Sequence, residues 1–224
     1  MEKLKLYFPL SKSYKISQKF GENLFNYKQF GLIGHNGFDI YQTPQWVYSS
    51  TFNIYADLEG EVVHIERDPS LGIGITIRTN EQFLDVYNKP YYWKRRFWHL
   101  QIGGVLVQVG QKVKTGDLIA YADNTGFSSG THTHYDVAPI QIVGEVDTDE
   151  ERLALSDYDF VNVEQNNGYR GRIDPDLYLE KKSDGSYYTA LDLKQDLNKL
   201  TEEIIKTKSL LDKLVAFFKR IGKL

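Results

Sequence analysis

From about residue 14 to 137, apolar positions come in short runs broken by glycine, whereas near the end of the chain they recur at a helical spacing. The runs at 60–67, 73–79, 105–109, 118–122 and 133–137 read as strands of an all-β domain. Two of them alternate clearly. Val63 and Ile65 fall opposite Val62, His64 and Glu66, and Ile73, Ile75 and Ile77 alternate with Gly74, Thr76 and Arg78. This period predicts strands with one buried face and one wet face. Between Gly103 and Gly126, the turns Gly110-Gln111, Thr115-Gly116-Asp117 and Asn124-Thr125-Gly126 separate brief apolar runs, so tight hairpins are expected there.

Over 141–165 the composition turns acidic, with Glu145, Asp147, Asp149, Glu150, Glu151, Asp157, Asp159 and Glu164 against the single base Arg152. That stretch reads as a long exposed loop with a short helical turn around 150–155. Asp174, Pro175 and Asp176 suggest a turn that pins the end of the strand domain, and the polar stretch 181–188, with its Asp184-Gly185 turn, reads as a linker. Beyond it Leu193, Leu197, Leu200, Ile204, Thr207, Leu211, Leu214, Phe218 and Ile221 recur at alternating spacings of four and three, a heptad seam. Thr189 with Asp192 supplies a start signal, Glu202 and Lys206 make an i,i+4 pair, and Lys219, Arg220 and Gly222 suit a helix end.

The organisation expected is a mainly β, compact antiparallel β-sheet domain over 1–180, a linker over 181–188, and a C-terminal amphipathic helix within 189–224, running from about 190 to 221. The helix reads either as packing on the β domain or as self-associating. Phe217-Phe218-Lys219-Arg220-Ile221 also suits contact with a membrane surface.

Composition narrows the chemistry. With 224 residues, 41% of them hydrophobic, the chain has material for a sizeable core, which excludes disorder for most of it. A formal net charge of -3 gives none of the electrostatic footprint that a nucleic-acid partner needs. The absence of cysteine removes disulfides, thiolate metal sites and thiol nucleophiles together, so any metal must sit on nitrogen and oxygen. The start is basic, but its longest apolar stretch, 6–10, contains Pro9 and is too short for the core of a signal peptide. No stretch is long enough to span a bilayer. The expectation is a soluble product made in the cytoplasm, unless a route without a cleavable signal carries it out.

Four of the five histidines fall in arrangements that metal chemistry uses. His35-Asn36-Gly37-Phe38-Asp39 has an H-x-x-x-D spacing, with Gly31, Gly34 and Gly37 arguing against a helix and allowing the loop to curve. His132-Thr133-His134 places two imidazoles on one face of a strand, and His99 stands in Trp98-His99-Leu100. His64, on a polar strand face with no partner motif, reads as an ordinary surface residue. Two imidazoles and one carboxylate suit zinc and leave a fourth position open, which is catalytic in kind. Zinc acidifies a water to a pKa of about 7 and polarises a carbonyl, as amide hydrolysis at neutral pH needs.

The combination of Gly34-His35-Asn36-Gly37-Phe38-Asp39, Trp98-His99-Leu100 and the glycine-punctuated segment 105–137 ending in His132-Thr133-His134-Tyr135-Asp136-Val137 resembles the lysostaphin-like (LytM-type) zinc metallopeptidases. The resemblance covers about residues 14–180. It implies a lysostaphin-type fold like that of the duplicated hybrid motif, one Zn2+ per chain, and hydrolysis of amide bonds in peptidoglycan stem or cross-bridge peptides through a metal-activated water. By it, His35, Asp39 and His134 are the zinc ligands, and His99 and His132 flank the water as general base and oxyanion stabilisers. All five positions are present, which argues against the degenerate members that act only as activators. There is no H-E-x-x-H, so proton transfer falls to the two further histidines.

Two features depart from the family's pattern. The acidic excursion follows H-x-H, and Asp136 stands where the family usually has glutamate, keeping the charge with a shorter reach. The resemblance places the protein's action at the bacterial cell wall, reached by phage-borne delivery or release by lysis. The aromatic and basic stretch 87–98 reads as a half-buried strand delivering His99, or as a groove rim for a glycopeptide. The loop 124–131 reads as a turn feeding the H-x-H strand.

A wall-binding or activator module with an idle zinc site is the alternative function. A lipoyl-like or phosphoryl-carrier domain shares the glycine-turn texture. It is disfavoured because no lysine stands at a hairpin tip and a phosphohistidine carrier has no use for Asp39.

Overall fold

The computed structural model describes residues 1–11, 14–42, 51–143 and 160–221. The strands, in chain order, are β1 (Tyr14–Gln18), β2 (Phe38–Gln42), β3 (Phe52–Tyr55), β4 (Gly60–Asp68), β5 (Gly72–Arg78), β6 (Phe83–Leu84), β7 (Pro90–Phe97), β8 (Leu100–Val105), β9 (Lys112–Val113), β10 (Leu118–Ala122), β11 (Thr133–Ile142) and β12 (Phe160–Asn162). A four-residue helix, α1 (Leu24–Tyr27), precedes β2, and a long helix, α2 (Ala190–Ile221), closes the described chain.

Every pairing between these strands is antiparallel. One sheet runs β1-β2-β11-β7-β5-β4-β9, with β12 on β11 and β6 on β7, and a smaller sheet runs β3-β10-β8. The core between them holds Phe38, Ile40, Ile54, Ile75, Ile77 and Phe97, among others. The fold is mainly β with one long C-terminal helix, as the hydrophobic pattern predicts.

The structure corrects several local expectations. In β4, Val62 is in the core and His64 is exposed, whereas alternation had set both on one face. The pairing shifts between Val62 and His64, and the extra residue of this β-bulge reverses the alternation. In β5 both faces are covered, because Thr76 and Arg78 are buried as well as Ile75 and Ile77. The Trp98 ring closes on its second face, where a Cβ at Gly74 would sit 2.6 Å from it. The run 105–109 is not a strand, since β8 ends at Val105 and the chain turns toward Gly110.

Of the expected loop 141–165, residues 141–142 and 160–162 are paired strand, with Gln141 opposite Val161 and Ile142 opposite Phe160. The helical turn expected at 150–155 lies outside the described residues.

The segment 181–188, expected as a linker, folds back on itself through a Lys181–Tyr187 bridge around the Asp184-Gly185 turn. Tyr187 stacks on Phe8 with ring centroids 4.9 Å apart. The cause is the N-terminal stretch, where Leu4, Leu6, Phe8 and Leu10 alternate into the core, and Lys3, Leu6 and Phe8 bridge Leu84, Leu179 and Thr189 in turn. Helix α2 then starts on a reciprocal cap, Asp192 N–H donating to Thr189 Oγ1 and Thr189 N–H to Asp192 Oδ2.

The core also holds a charge. Arg95 is fully buried and donates to Asp57 Oδ1 at 3.2 Å and to the carbonyls of Leu58 and Glu59, while Tyr135 O–H donates to Asp57 Oδ2 at 2.6 Å. This network joins β7 and β11 to the turn before β4. Removing one partner strands a buried charge, so Asp57→Ala is expected to lower the unfolding free energy by about 3–5 kcal/mol. Tyr135→Phe, which leaves the ion pair intact, should cost about 1–3 kcal/mol in urea titration.

Candidate metal centre

Strand β11 pairs with β2 so that His134 stands opposite Asp39 and Thr133 opposite Ile40. Side chains of residues directly opposite project from the same face of a sheet, so this register alone brings the His134 ring to the Asp39 carboxylate. His35 reaches the same point from the loop ahead of β2. The loop is held by paired backbone bonds, Gly21 N–H to the His35 carbonyl and His35 N–H to the Glu22 carbonyl, both 2.8 Å.

The three ligating atoms converge. His35 Nε2 lies 2.8 Å from His134 Nδ1 and 3.1 Å from Asp39 Oδ1, and His134 Nδ1 lies 3.0 Å from Asp39 Oδ1. A tetrahedral zinc ion, with ligands at about 2.0–2.2 Å, would hold such atoms roughly 3.3 Å apart, so the donor set and spacing fit it. The nitrogens turned away from the centre are also committed. His35 Nδ1–H donates to the Lys19 carbonyl at 3.2 Å, which leaves Nε2 as the lone-pair nitrogen. His134 Nε2 lies 3.5 Å from the buried Asp136 carboxylate. An outer carboxylate on a ligating imidazole fixes its orientation and raises its basicity.

Asp136 is itself held. Arg96 grips it through Nε and Nη2 at 2.9 and 2.8 Å, and Arg172 Nε approaches at 3.3 Å. Burial alone would raise the Asp136 pKa, but the two guanidiniums outweigh it and keep the carboxyl well below the usual range. Burial would likewise raise Asp39 and lower His134. The His134 and His35 rings outweigh it at Asp39, keeping that carboxyl ionised, while Asp136 and Asp39 push metal-free His134 up to about 9.

His99 and His132 complete the centre. His132 Nε2 is 3.7 Å from Asp39 Oδ1, and the His99 and His132 rings are 4.6 Å apart between centroids. Each is oriented by a backbone carbonyl of the 124–131 loop: His99 Nδ1–H donates to Thr125 and His132 Nδ1–H to Gly130, both at 2.7 Å. A carbonyl can only accept, so in the neutral rings Nε2 is left unprotonated. His99 sits at φ 60°, left-handed backbone that non-glycine residues adopt rarely, at the turn from β7 to β8. Its pKa falls to about 4, first through burial and then through the neighbouring His132.

Asp39, His99, His132 and His134 line a cleft of about 710 Å3 whose walls include Tyr27, Phe30, Trp98 and Phe127, with His35 buried behind it. Phe30 and Phe127 meet edge to face, ring centroids 5.4 Å apart, across two different loops. Of the stretch 87–98, only Arg96 and Trp98 line this cleft, and Trp93 and Arg95 are buried in the core. The strand reading of that stretch therefore describes most of it. His64 stands apart, its Nε2 3.3 Å from Glu66.

Sequence reasoning missed Arg172, Phe30 and Phe127, and read Gly37 only as a residue that lets the loop curve. Arg172 reaches Asp136 from beyond the acidic segment, with no spacing to announce it. Phe30 and Phe127 sit in loops without a motif. Gly37 matters by close approach, since a Cβ there would lie 2.5 Å from the Tyr135 carbonyl and 2.9 Å from His134 Nε2.

A family model described as Peptidase family M23 matches residues 34–147. An uncharacterized metalloprotease of Buchnera aphidicola is 31% identical over 135 residues, 59% of this chain and 30% of that protein. The peptidoglycan DD-endopeptidase ShyB of Vibrio cholerae is 29% identical over 131 residues, 58% of this chain and 26% of that one. A crystal structure of a zinc-containing peptidase from Vibrio cholerae aligns over 61% of this chain and 37% of its own, with 27% identity and a TM-score of 0.46. The chain spans less than a third of the length of these two curated relatives.

Two outcomes follow from the geometry. Gly37→Ala should push His134 out of place and weaken metal affinity by about 10- to 100-fold, measured by competition with a chromophoric chelator. In the metal-free protein, His99 is neutral when folded and takes up a proton when unfolded between its ordinary pKa of 6.5 and about 4. Stability should therefore fall as pH drops through that window, and the fall should be shallower in His99→Asn when urea midpoints are compared across it.

Proposed function

Because the chain belongs to peptidase family M23, we propose that it is a zinc-dependent endopeptidase that hydrolyses amide bonds in the stem or cross-bridge peptides of bacterial peptidoglycan. One observation carries the reading beyond the family: two histidines outside the ligand triad, His99 and His132, are oriented beside it in the tautomer that leaves Nε2 able to accept a proton. A site built only to hold a metal has no use for them. Zinc, when bound, supplies Lewis acidity to a carbonyl oxygen and acidifies a water.

The residues of this chain do the rest. His35, Asp39 and His134 hold the ion, and Asp136, clamped by Arg96 and Arg172, keeps the His134 ring aimed. One of His99 and His132 accepts the proton of the attacking water and returns it to the leaving amine. The other, once protonated, donates to the oxygen that gains charge as the carbonyl becomes tetrahedral. The rings of Tyr27, Phe30, Trp98 and Phe127 give the cleft apolar walls, and Arg96 and Arg172 give it cationic ones, which suits a peptide carrying free carboxylates.

The test is metal content and turnover measured on the same samples, with peptide release from purified peptidoglycan followed by mass spectrometry. Asp39→Ala and His134→Ala should lose zinc and activity together. His99→Ala and His132→Ala should each keep about one zinc per chain and lose roughly 100- to 10,000-fold in turnover. Chelation should abolish wild-type activity, and zinc should restore it. Bound zinc with no hydrolysis of any peptidoglycan type would instead favour a non-catalytic wall-binding module.

A further inference from the structure

The long helix α2 is the part of the fold that the cleft does not use. Its contacts with the β domain lie in the first turns, where Ala190 N–H donates to the Phe8 carbonyl and Lys194 Nζ bonds the Gly116 carbonyl and Asp117. From Gln195 to Lys219 every side chain is exposed. Leu197, Leu200, Ile204, Leu211, Leu214 and Phe218 are each more than half exposed, Phe218 at 62%. The expectation that the helix packs along the β domain is thus not met beyond its start. An apolar stripe of this extent has nothing within the described chain to cover it, and among the described residues no helix is long and apolar enough to cross a membrane.

We propose that α2 associates in parallel with α2 of a second copy of this chain, as a coiled coil. The stripe keeps the strict three-four alternation of a coiled-coil seam from Leu197 to Ile221, a length of about 36 Å. With Leu197, Ile204, Leu211 and Phe218 at a and Leu200, Thr207, Leu214 and Ile221 at d, the flanking positions decide the direction. In parallel register Glu203 at g meets Lys208 at e of the second copy, and Leu210 meets Val215. Charge faces opposite charge, and apolar faces apolar. With the helices overlapped and antiparallel, Lys208 would face Lys208 of the second copy and Glu203 would face Phe217. The parallel arrangement brings both β domains to the same end of the coil, so two clefts would act on neighbouring sites. The proposal does not depend on what the clefts hydrolyse.

Sedimentation equilibrium of the full chain at micromolar concentration tests it. The wild type should associate, and Ile204→Asp combined with Leu211→Asp should sediment as a monomer with unchanged zinc content. Glu203→Lys should weaken association at least several-fold, and adding Lys208→Glu should restore it, a rescue that a merely sticky surface would not show. Because the chain lacks cysteine, Leu200→Cys reports direction: the two thiols meet at d in the parallel pair and should cross-link on oxidation. In the antiparallel pair, Leu200 falls beside Phe218 of the second copy, and the two thiols stand about 27 Å apart. A wild type that stays monomeric, including one whose helix binds vesicles of anionic phospholipid, overturns the proposal. An associated chain whose Leu200→Cys variant fails to cross-link overturns the parallel pairing.

Discussion

The centre depends on one register. If β11 slid by a single residue against β2, His134 would turn to the other face of the sheet and Asp39 would stand opposite Thr133 or Tyr135 instead. The observed pairing of His134 with Asp39 is therefore a condition for the candidate metal site, and the rest of the β domain can be understood as what fixes it. Strand β11 is paired on both sides, by β2 near its start and by β7 along its middle, so it cannot shift without breaking both ladders.

The two faces of the β7–β11 pair carry two charge systems. On the core face, Arg95 of β7 bonds Asp57, which also accepts from Tyr135 of β11. On the cleft face, Arg96 of β7 stands opposite Asp136 of β11 and grips its carboxylate, next to the His134 ring. Neighbouring residues on each strand thus alternate between locking the fold and aiming a ligand. An unpaired charge on either face would be costly, so both networks penalise any pairing but this one. With a shorter side chain than the glutamate expected there, Asp136 stands 3.5 Å from His134 Nε2 while Arg96 and Arg172 hold its carboxylate.

Much of this was legible in the sequence, and the exceptions have physical causes. The histidine motifs, read through the family resemblance, pointed to His35, Asp39 and His134, which the structure gathers into one candidate cluster, and the capped heptad pattern announced α2 from Ala190 to Ile221 because helical period needs no tertiary context. The face of Val62 was not legible, since a β-bulge adds one residue without a signature in composition. Nor was the fixed fold of 181–188: its polar look hid Tyr187, which stacks on Phe8 from the opposite end of the chain. Arg95, in a stretch that reads as a half-buried strand or a groove rim, was not legible as a core residue because sequence shows a charge but not the Asp57 that neutralises it inside the core. Contacts such as Arg172 to Asp136 join distant segments through the fold and leave no local trace.

The most direct test of this account is zinc-edge X-ray absorption on the zinc-loaded chain and on the His99→Ala, His132→Ala double variant. The account predicts two imidazole nitrogens and one carboxylate oxygen from the protein at about 2.0–2.2 Å, with the remaining position filled from solvent, and the same shell in both samples. Three or four imidazoles in the wild type, or a shell that changes when His99 and His132 are removed, would contradict the division into ligands and proton-transfer groups on which the account rests.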